Sequence, residues 1–204
     1  MDHEILLRMI ERKIKDTDVI WLIKVILKNH RVEVPGKGMP LGNLTSQFFA
    51  NVYLDELDHF VKHALKVKYY IRYVDDFVIL HKDRKILEKW REEIDRFLRC
   101  SLKVELHPEK TRIEPLSGGL TMLGFRVFYH HRLLKRSNAR RIWMRLERHR
   151  EKCDSGEINP YEARASMAGW LAYAHFANTY GLRKRVTLRF DHLFHQEPAK
   201  EYQL

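Results

Sequence analysis

The hydrophobic pattern changes period several times along the chain, and each change marks an element. From Glu4 to His30 apolar residues recur at helical spacing: Leu6, Ile10 and Ile14, then a richer run after Asp16-Thr17-Asp18. That predicts two helical pieces with a break between them. "VPGKGMPLGN" follows, and its prolines and glycines predict a loop. Helical spacing returns from Thr45 to Lys66, with Phe49, Val52, Leu57, Phe60 and Ala64 on or near one face. The period then shortens. "YYIRYVDDFVIL", Tyr69 to Leu80, reads as a strand, a tight bend and a second strand. Lys85 to Ser101 is amphipathic, with Ile86, Trp90, Ile94 and Phe97 facing inward. Leu102–Glu105 and Thr121–Phe128 are predicted as short strands, and beyond about His130 only helices are expected. Ser137–Cys153 is a basic helix. Asn159 and Pro160 open another in cap-then-proline order, with Ala163, Met167, Trp170, Leu171, Ala174 and Phe176 for helix packing. The expected class is α+β with an α-helical C-terminal module.

Composition narrows the partners. No apolar run approaches the roughly 20 residues of a membrane span, and the N-terminus carries no cleavable signal pattern. Two cysteines, Cys100 and Cys153, argue against a disulfide framework or a zinc site. A cytoplasmic protein without membrane contact is expected. The net charge is +11, which points to a polyanion. The bases concentrate between Arg132 and Arg150, where Glu147 is the only acid, and again in "LRKR" at 182–185. Arg141, Arg145 and Arg148 share one face beside an apolar line of Ile142, Leu146 and His149. Such a helix packs on one side and tracks a phosphate backbone on the other. The aromatic residues Tyr129, Trp143, Trp170 and Tyr173 are expected in the core rather than as base-stacking platforms.

The chemistry sits in the bend. Asp75 and Asp76 lie inside an apolar, aromatic run, where two carboxylates are costly unless a cation compensates them. Adjacent acids are also ordinary turn residues, which is the plainer reading. Against it stand the apolar flanks and the basic chain around an isolated acidic spot. A bent hairpin offering bare carboxylates suits a hard divalent cation that completes its shell with substrate phosphates and water.

"YVDD" between apolar runs resembles the metal-binding motif of reverse transcriptases. Three further blocks resemble that family in the right order: "GMPLGNLTSQ" (Gly38–Gln47), "HPEKT" (His107–Thr111) and "LGF" (Leu123–Phe125). Ser46-Gln47 looks most like the enzymes of diversity-generating retroelements, with group II intron and retron enzymes as neighbours. The resemblance implies a polymerase palm with trailing fingers helices over residues 1–128, and a helical thumb-like module over 129–204. It implies Asp75 and Asp76 as catalytic Mg²⁺ ligands, with Mn²⁺ as a substitute. Pro40, Gly42, Gln47, Tyr73 and Lys110 would line the nucleotide and template side, and Leu123, Gly124 and Phe125 would form the primer grip. The implied partners are an RNA template, a DNA or RNA primer and deoxynucleoside triphosphates. Another family aspartate belongs to an earlier motif, and "MDHEILL" matches only the end of that run. Asp2 is therefore read as a helix N-terminal acid. The expectation is an N-terminally truncated or split enzyme, inactive alone and served by a separate fingers polypeptide or accessory protein. A non-catalytic RNA- or DNA-binding module is the alternative.

Overall fold

Helix α1 (His3–Lys13) begins where the Asp2 carboxylate accepts from the backbone N–H groups of Glu4 and Ile5, two donors a helix start leaves open. Asp2 is buried, and Lys103 donates to its other oxygen at 2.7 Å. That hydrogen bond holds the carboxyl below the usual carboxylate range. Asp2 is thus a helix cap, as its place in the sequence suggested. The protein is described by a computed structural model over residues 1–29, 36–39 and 44–194. It divides into two compact units, Met1–Ile113 and Glu114–Leu204, each with its own hydrophobic core.

In the first unit α2 (Thr17–Lys28) starts at the predicted break, capped by Asp16. Helix α3 (Leu44–His59) runs into a π-helical turn, Phe60–Ala64, and leads to the hairpin of β1 (Tyr69–Tyr73) and β2 (Asp76–Leu80). Helix α4 (Arg84–Phe97) ends in a second π-helical turn, Leu98–Leu102. Leu6, Ile10, Leu27, Phe49, Leu57, Val61 and Ile94 form the centre of the core, with Tyr70, Phe77 and Ile79 of the hairpin against it. The two π turns close alike. Lys66 and Lys103 take left-handed backbone, and the next N–H returns six residues, Val67 to Val61 and Val104 to Leu98. The strand expected at Leu102–Glu105 therefore does not form. Leu102 belongs to the closing turn, and the left-handed Lys103 breaks any extended run.

The second unit holds an antiparallel meander, β3 (Leu120–Met122), β4 (Phe125–Val127) and β5 (Arg132–Leu134), and three helices. These are α5 (Arg136–Asp154), α6 (Pro160–His175) and α7 (Tyr180–Phe194). Asn159 caps α6 by accepting from Glu162 N–H, with Pro160 at the first position as predicted. Three expectations are corrected here. Thr121–Phe128 is not one strand: Leu123 and Gly124 form a two-residue turn between β3 and β4. Strands do not stop at His130, because β5 follows and pairs with β4. Phe176 is exposed at the end of α6 instead of packing. The sequence reading divides the chain at 128/129, whereas the structure keeps β3 and β4 in the helical unit, with the Phe125 ring 4.8 Å from that of Tyr173. The class is α+β. No helix among the described residues is long and apolar enough to cross a membrane.

Candidate active site

The hairpin register pairs Tyr73 with Asp76, so the loop has two residues, Val74 and Asp75. Alternation then sorts the side chains. Tyr70, Arg72, Phe77 and Ile79 face the core side. Tyr69, Ile71 and Tyr73 share the other face with Leu80, Val78 and Asp76, and those three β1 residues are all more than half exposed. Asp75 and Asp76 are both exposed at the apex. Neither carboxylate makes a hydrogen bond or ion pair to a described residue. The bend lifts two carboxylates clear of an otherwise apolar ribbon.

The backbone there is unusual. Val74 has φ 55°, positive at the first central residue only, as in a type II′ turn where glycine is the usual occupant. For a β-branched residue this costs on the order of 1–3 kcal/mol and persists only where surroundings enforce it. The surroundings are visible. Arg72 donates Nη1–H to the Val74 carbonyl oxygen at 2.7 Å and to Asn51 Oδ1 at 3.0 Å. Its Nε and Nη2 grip both oxygens of Asp58 on α3, at 2.8 and 2.5 Å. Tyr70 donates its hydroxyl to the same carboxylate at 2.6 Å. The Arg72 side chain is only 9% exposed. Burial disfavours ionisation of Asp58, but the bonds from Arg72 and Tyr70 prevail and hold its carboxyl below the usual range. Burial and the Asp58 bond push the Tyr70 phenol well up, so it stays protonated and donating.

Other residues singled out from the sequence fall in different places. Gln47 is exposed in the first turn of α3. Lys110 is exposed in the turn His107–Lys110, closed by Lys110 and Thr111 N–H groups donating to the His107 carbonyl. No hydrogen bond or ion pair joins Lys110 to the aspartates. Pro40 and Gly42 lie outside the described residues.

Leu123, Gly124 and Phe125 and the three arginines belong to the second unit. Leu123 and Gly124 both have positive φ, 51° and 82°, the type I′ pattern. Tyr173 donates its hydroxyl to the Leu123 carbonyl at 3.2 Å, and Lys135 N–H donates to the Gly124 carbonyl at 2.9 Å. Asn138 Nδ2 donates to Tyr173 Oη at 3.1 Å. Arg141, Arg145 and Arg148 are exposed on α5 and pair with no described acid, while Ile142 and Leu146 beneath them are 1% exposed. Tyr129 is not in the core: it stands 83% exposed in the β4–β5 turn, in contrast to the buried Trp170.

Sequence reasoning missed Arg72, Asp58 and Asn51. A signal existed. An arginine inside an apolar strand, on the face that carries Tyr70 and Phe77, needs a nearby acid, and Asp58 is on the preceding helix.

The donor chemistry fits a hard divalent cation: carboxylate oxygens, exposed and not otherwise engaged. Among the described residues no cluster of three or more His, Cys, Asp or Glu side chains forms. The hairpin therefore offers two protein ligands.

Comparison with known proteins supplies the family. Residues 1–127 match the family model described as reverse transcriptase (RNA-dependent DNA polymerase). The chain is 26% identical over 162 residues to Protein YkfC of Escherichia coli (strain K12), covering 61% of this chain and 42% of that protein. It is 27% identical over 194 residues to the Group II intron-encoded protein LtrA of Lactococcus lactis subsp. cremoris, covering 62% of this chain and 32% of that protein. The chain belongs to the reverse transcriptase family. It spans less than half the length of these curated relatives.

Proposed function

We propose that this chain is the palm and thumb portion of an RNA-directed DNA polymerase, in which Asp75 and Asp76 hold the catalytic divalent ion. The supporting observation is the pair of exposed, unengaged carboxylates at the apex of a restrained hairpin, within the family-matched segment. The ion is Mg²⁺, with Mn²⁺ able to replace it. When bound it supplies charge stabilisation to the phosphoryl group being transferred. The chain's own part is positioning. Tyr73, opposite Asp76 on the same face, lies beside the primer end or the incoming nucleotide. Pro40, Gly42 and Gln47 line the nucleotide and template side, and Lys110 neutralises phosphate charge. The turn of Leu123, Gly124 and Phe125 holds the primer, and Arg141, Arg145 and Arg148 follow the nucleic-acid backbone.

Two carboxylates from one hairpin bind an ion weakly and do not order two. The described residues add no third ligand at the turn. On this reading the 204-residue chain alone does not extend primers, and a further segment or a separate polypeptide completes the site. An RNA template, a DNA or RNA primer and deoxynucleoside triphosphates are the substrates, and the setting is cytoplasmic.

Primer extension with Mg²⁺ or Mn²⁺ tests this, with Asp75→Ala as control. Extension by the isolated chain would overturn the claim of inactivity. Extension that survives Asp75→Ala would remove the metal assignment. A second reading, a non-catalytic nucleic-acid-binding module, is favoured by the exposed arginine face of α5. Salt-sensitive RNA binding, with no extension even in a completed enzyme, would support it.

A further inference from the structure

We propose that Arg72 is a positioning residue that holds the Val74–Asp75 turn in its strained form, using Asp58 and Asn51 of α3 as its anchor. The proposal rests on the reading that this turn presents metal-binding carboxylates, and it adds how the turn is kept in shape.

The geometry suits that role better than a plain tie between strand and helix. A guanidinium is a rigid, planar fork with five N–H donors. The bidentate grip on Asp58 fixes the plane of the fork, through Nε at 2.8 Å and Nη2 at 2.5 Å. Once the plane is fixed, the direction of Nη1 is fixed too. Its two N–H groups go to Asn51 Oδ1, again on α3, and to the Val74 carbonyl oxygen. Four of the five donors are therefore committed, three to the helix and one to the turn. The Val74 carbonyl belongs to the peptide that joins the strained residue to Asp75. Fixing it fixes the peptide plane leading into the first carboxylate. Tyr70 adds a donor to the same Asp58 oxygen that Nε engages, so the acid cannot swing away.

A salt bridge that merely joined β1 to α3 would have no reason to spend a charged donor on a turn carbonyl two residues ahead. Nor would it coincide with positive φ at a valine. Lysine could keep the ion pair but not the fork, since an ammonium is a point charge without fixed donor directions. That difference makes the proposal separable from simple stabilisation.

The test uses the full 204-residue chain and two readouts. Amide hydrogen exchange over residues 74–76 reports the turn, and Mn²⁺ titration followed by paramagnetic broadening of the Asp75 and Asp76 signals reports ion binding. In Arg72→Lys, exchange at the turn is expected to speed at least about tenfold, with thermal unfolding little changed, because the ion pair survives. Mn²⁺ affinity is expected to fall several-fold. Adding Val74→Gly to Arg72→Lys should restore much of that affinity, because glycine takes positive φ without enforcement. Asp58→Asn, which weakens the anchor without touching Arg72, should shift the turn in the same direction by less.

Unchanged turn exchange in Arg72→Lys overturns the proposal, whatever happens to overall stability. So does lowered thermal stability with no local effect at the turn, which would leave only a strand-to-helix tie. If the wild-type chain shows no Mn²⁺ broadening that Asp75→Ala removes, the metal reading fails instead. Turn exchange then still decides whether Arg72 enforces the backbone.

Discussion

Two hairpin turns in this molecule can be set side by side: Val74–Asp75 in the first unit and Leu123–Gly124 in the second. Both have two residues, and both place a bulky aliphatic residue at positive φ, 55° and 51°, where glycine or asparagine is usual. Both are held from behind through their carbonyl oxygens by side chains or backbone of neighbouring elements. The means differ. The first turn is fixed by a charged fork, Arg72, whose other donors sit on an ionised acid. The second is fixed by neutral groups, the Tyr173 hydroxyl and the Lys135 N–H, with Asn138 supporting the phenol. An apex that carries two carboxylates gains from a cation close behind it. A turn that displays no charge is held by neutral donors alone. The lesson is that strain is tolerated in both places and that the anchor is matched to the charge each turn displays.

The largest expected difference is in chemistry. In a completed enzyme Asp75→Ala should abolish nucleotide addition, whereas a change at Leu123 should weaken primer binding and leave residual addition measurable at high primer concentration. The next is in packing. A Cβ at Gly124 would fall 2.2 Å from Tyr173 Oη and 2.6 Å from Asn138 Nδ2, at a φ that side chains resist. Gly124→Ala should therefore destabilise the second unit by about 2 kcal/mol or more in urea unfolding. Tyr173→Phe removes the hydroxyl that serves Leu123 and receives from Asn138, and should cost about 1 kcal/mol in the same assay. The smallest effect is the response to acid. The Asp58 carboxyl titrates below its ordinary range in the folded chain, so its contribution is complete above the unfolded value. It is lost as pH falls through the depressed folded value. Protection of the amides of residues 74–76, measured against the intrinsic exchange rate at each pH, should fall over that acid window, while protection at 123–124, with no carboxylate in its anchor, should stay constant.

Much of the fold was legible because its signals were local. Asp16 broke the first helical run as a cap, Asn159 and Pro160 started α6, and "YYIRYVDDFVIL" produced the expected strand, bend and strand, with the bend at Val74–Asp75 instead of being centred on the two aspartates. The misses share a cause. Leu123-Gly124 lacks the usual asparagine or aspartate of a type I′ turn, so the hairpin looked like one continuous strand. Lys66 and Lys103 occupy left-handed positions where glycine would have announced the end of a helix. Helix α7 falls where only helices were expected, with Val186 and Phe190 four apart and buried. Of the site, the carboxylates were visible as an oddity of composition. Their support was not, because the Arg72–Asp58 pair links residues 14 apart through a helix-to-strand crossing that no local pattern specifies.

The open face of the hairpin has a consequence for behaviour in solution. Tyr69, Ile71, Tyr73 and Leu80 lie exposed on one side of a ribbon of only two strands, each with an edge that no described strand pairs. Apolar area beside unpaired strand edges favours self-association. The net charge of +11 opposes it by keeping like molecules apart. Salt shortens the reach of that repulsion to about 8 Å near physiological strength and further above it. Raising the ionic strength should therefore bring these ribbons together. The free chain is expected to be most soluble at low salt, where that repulsion reaches furthest.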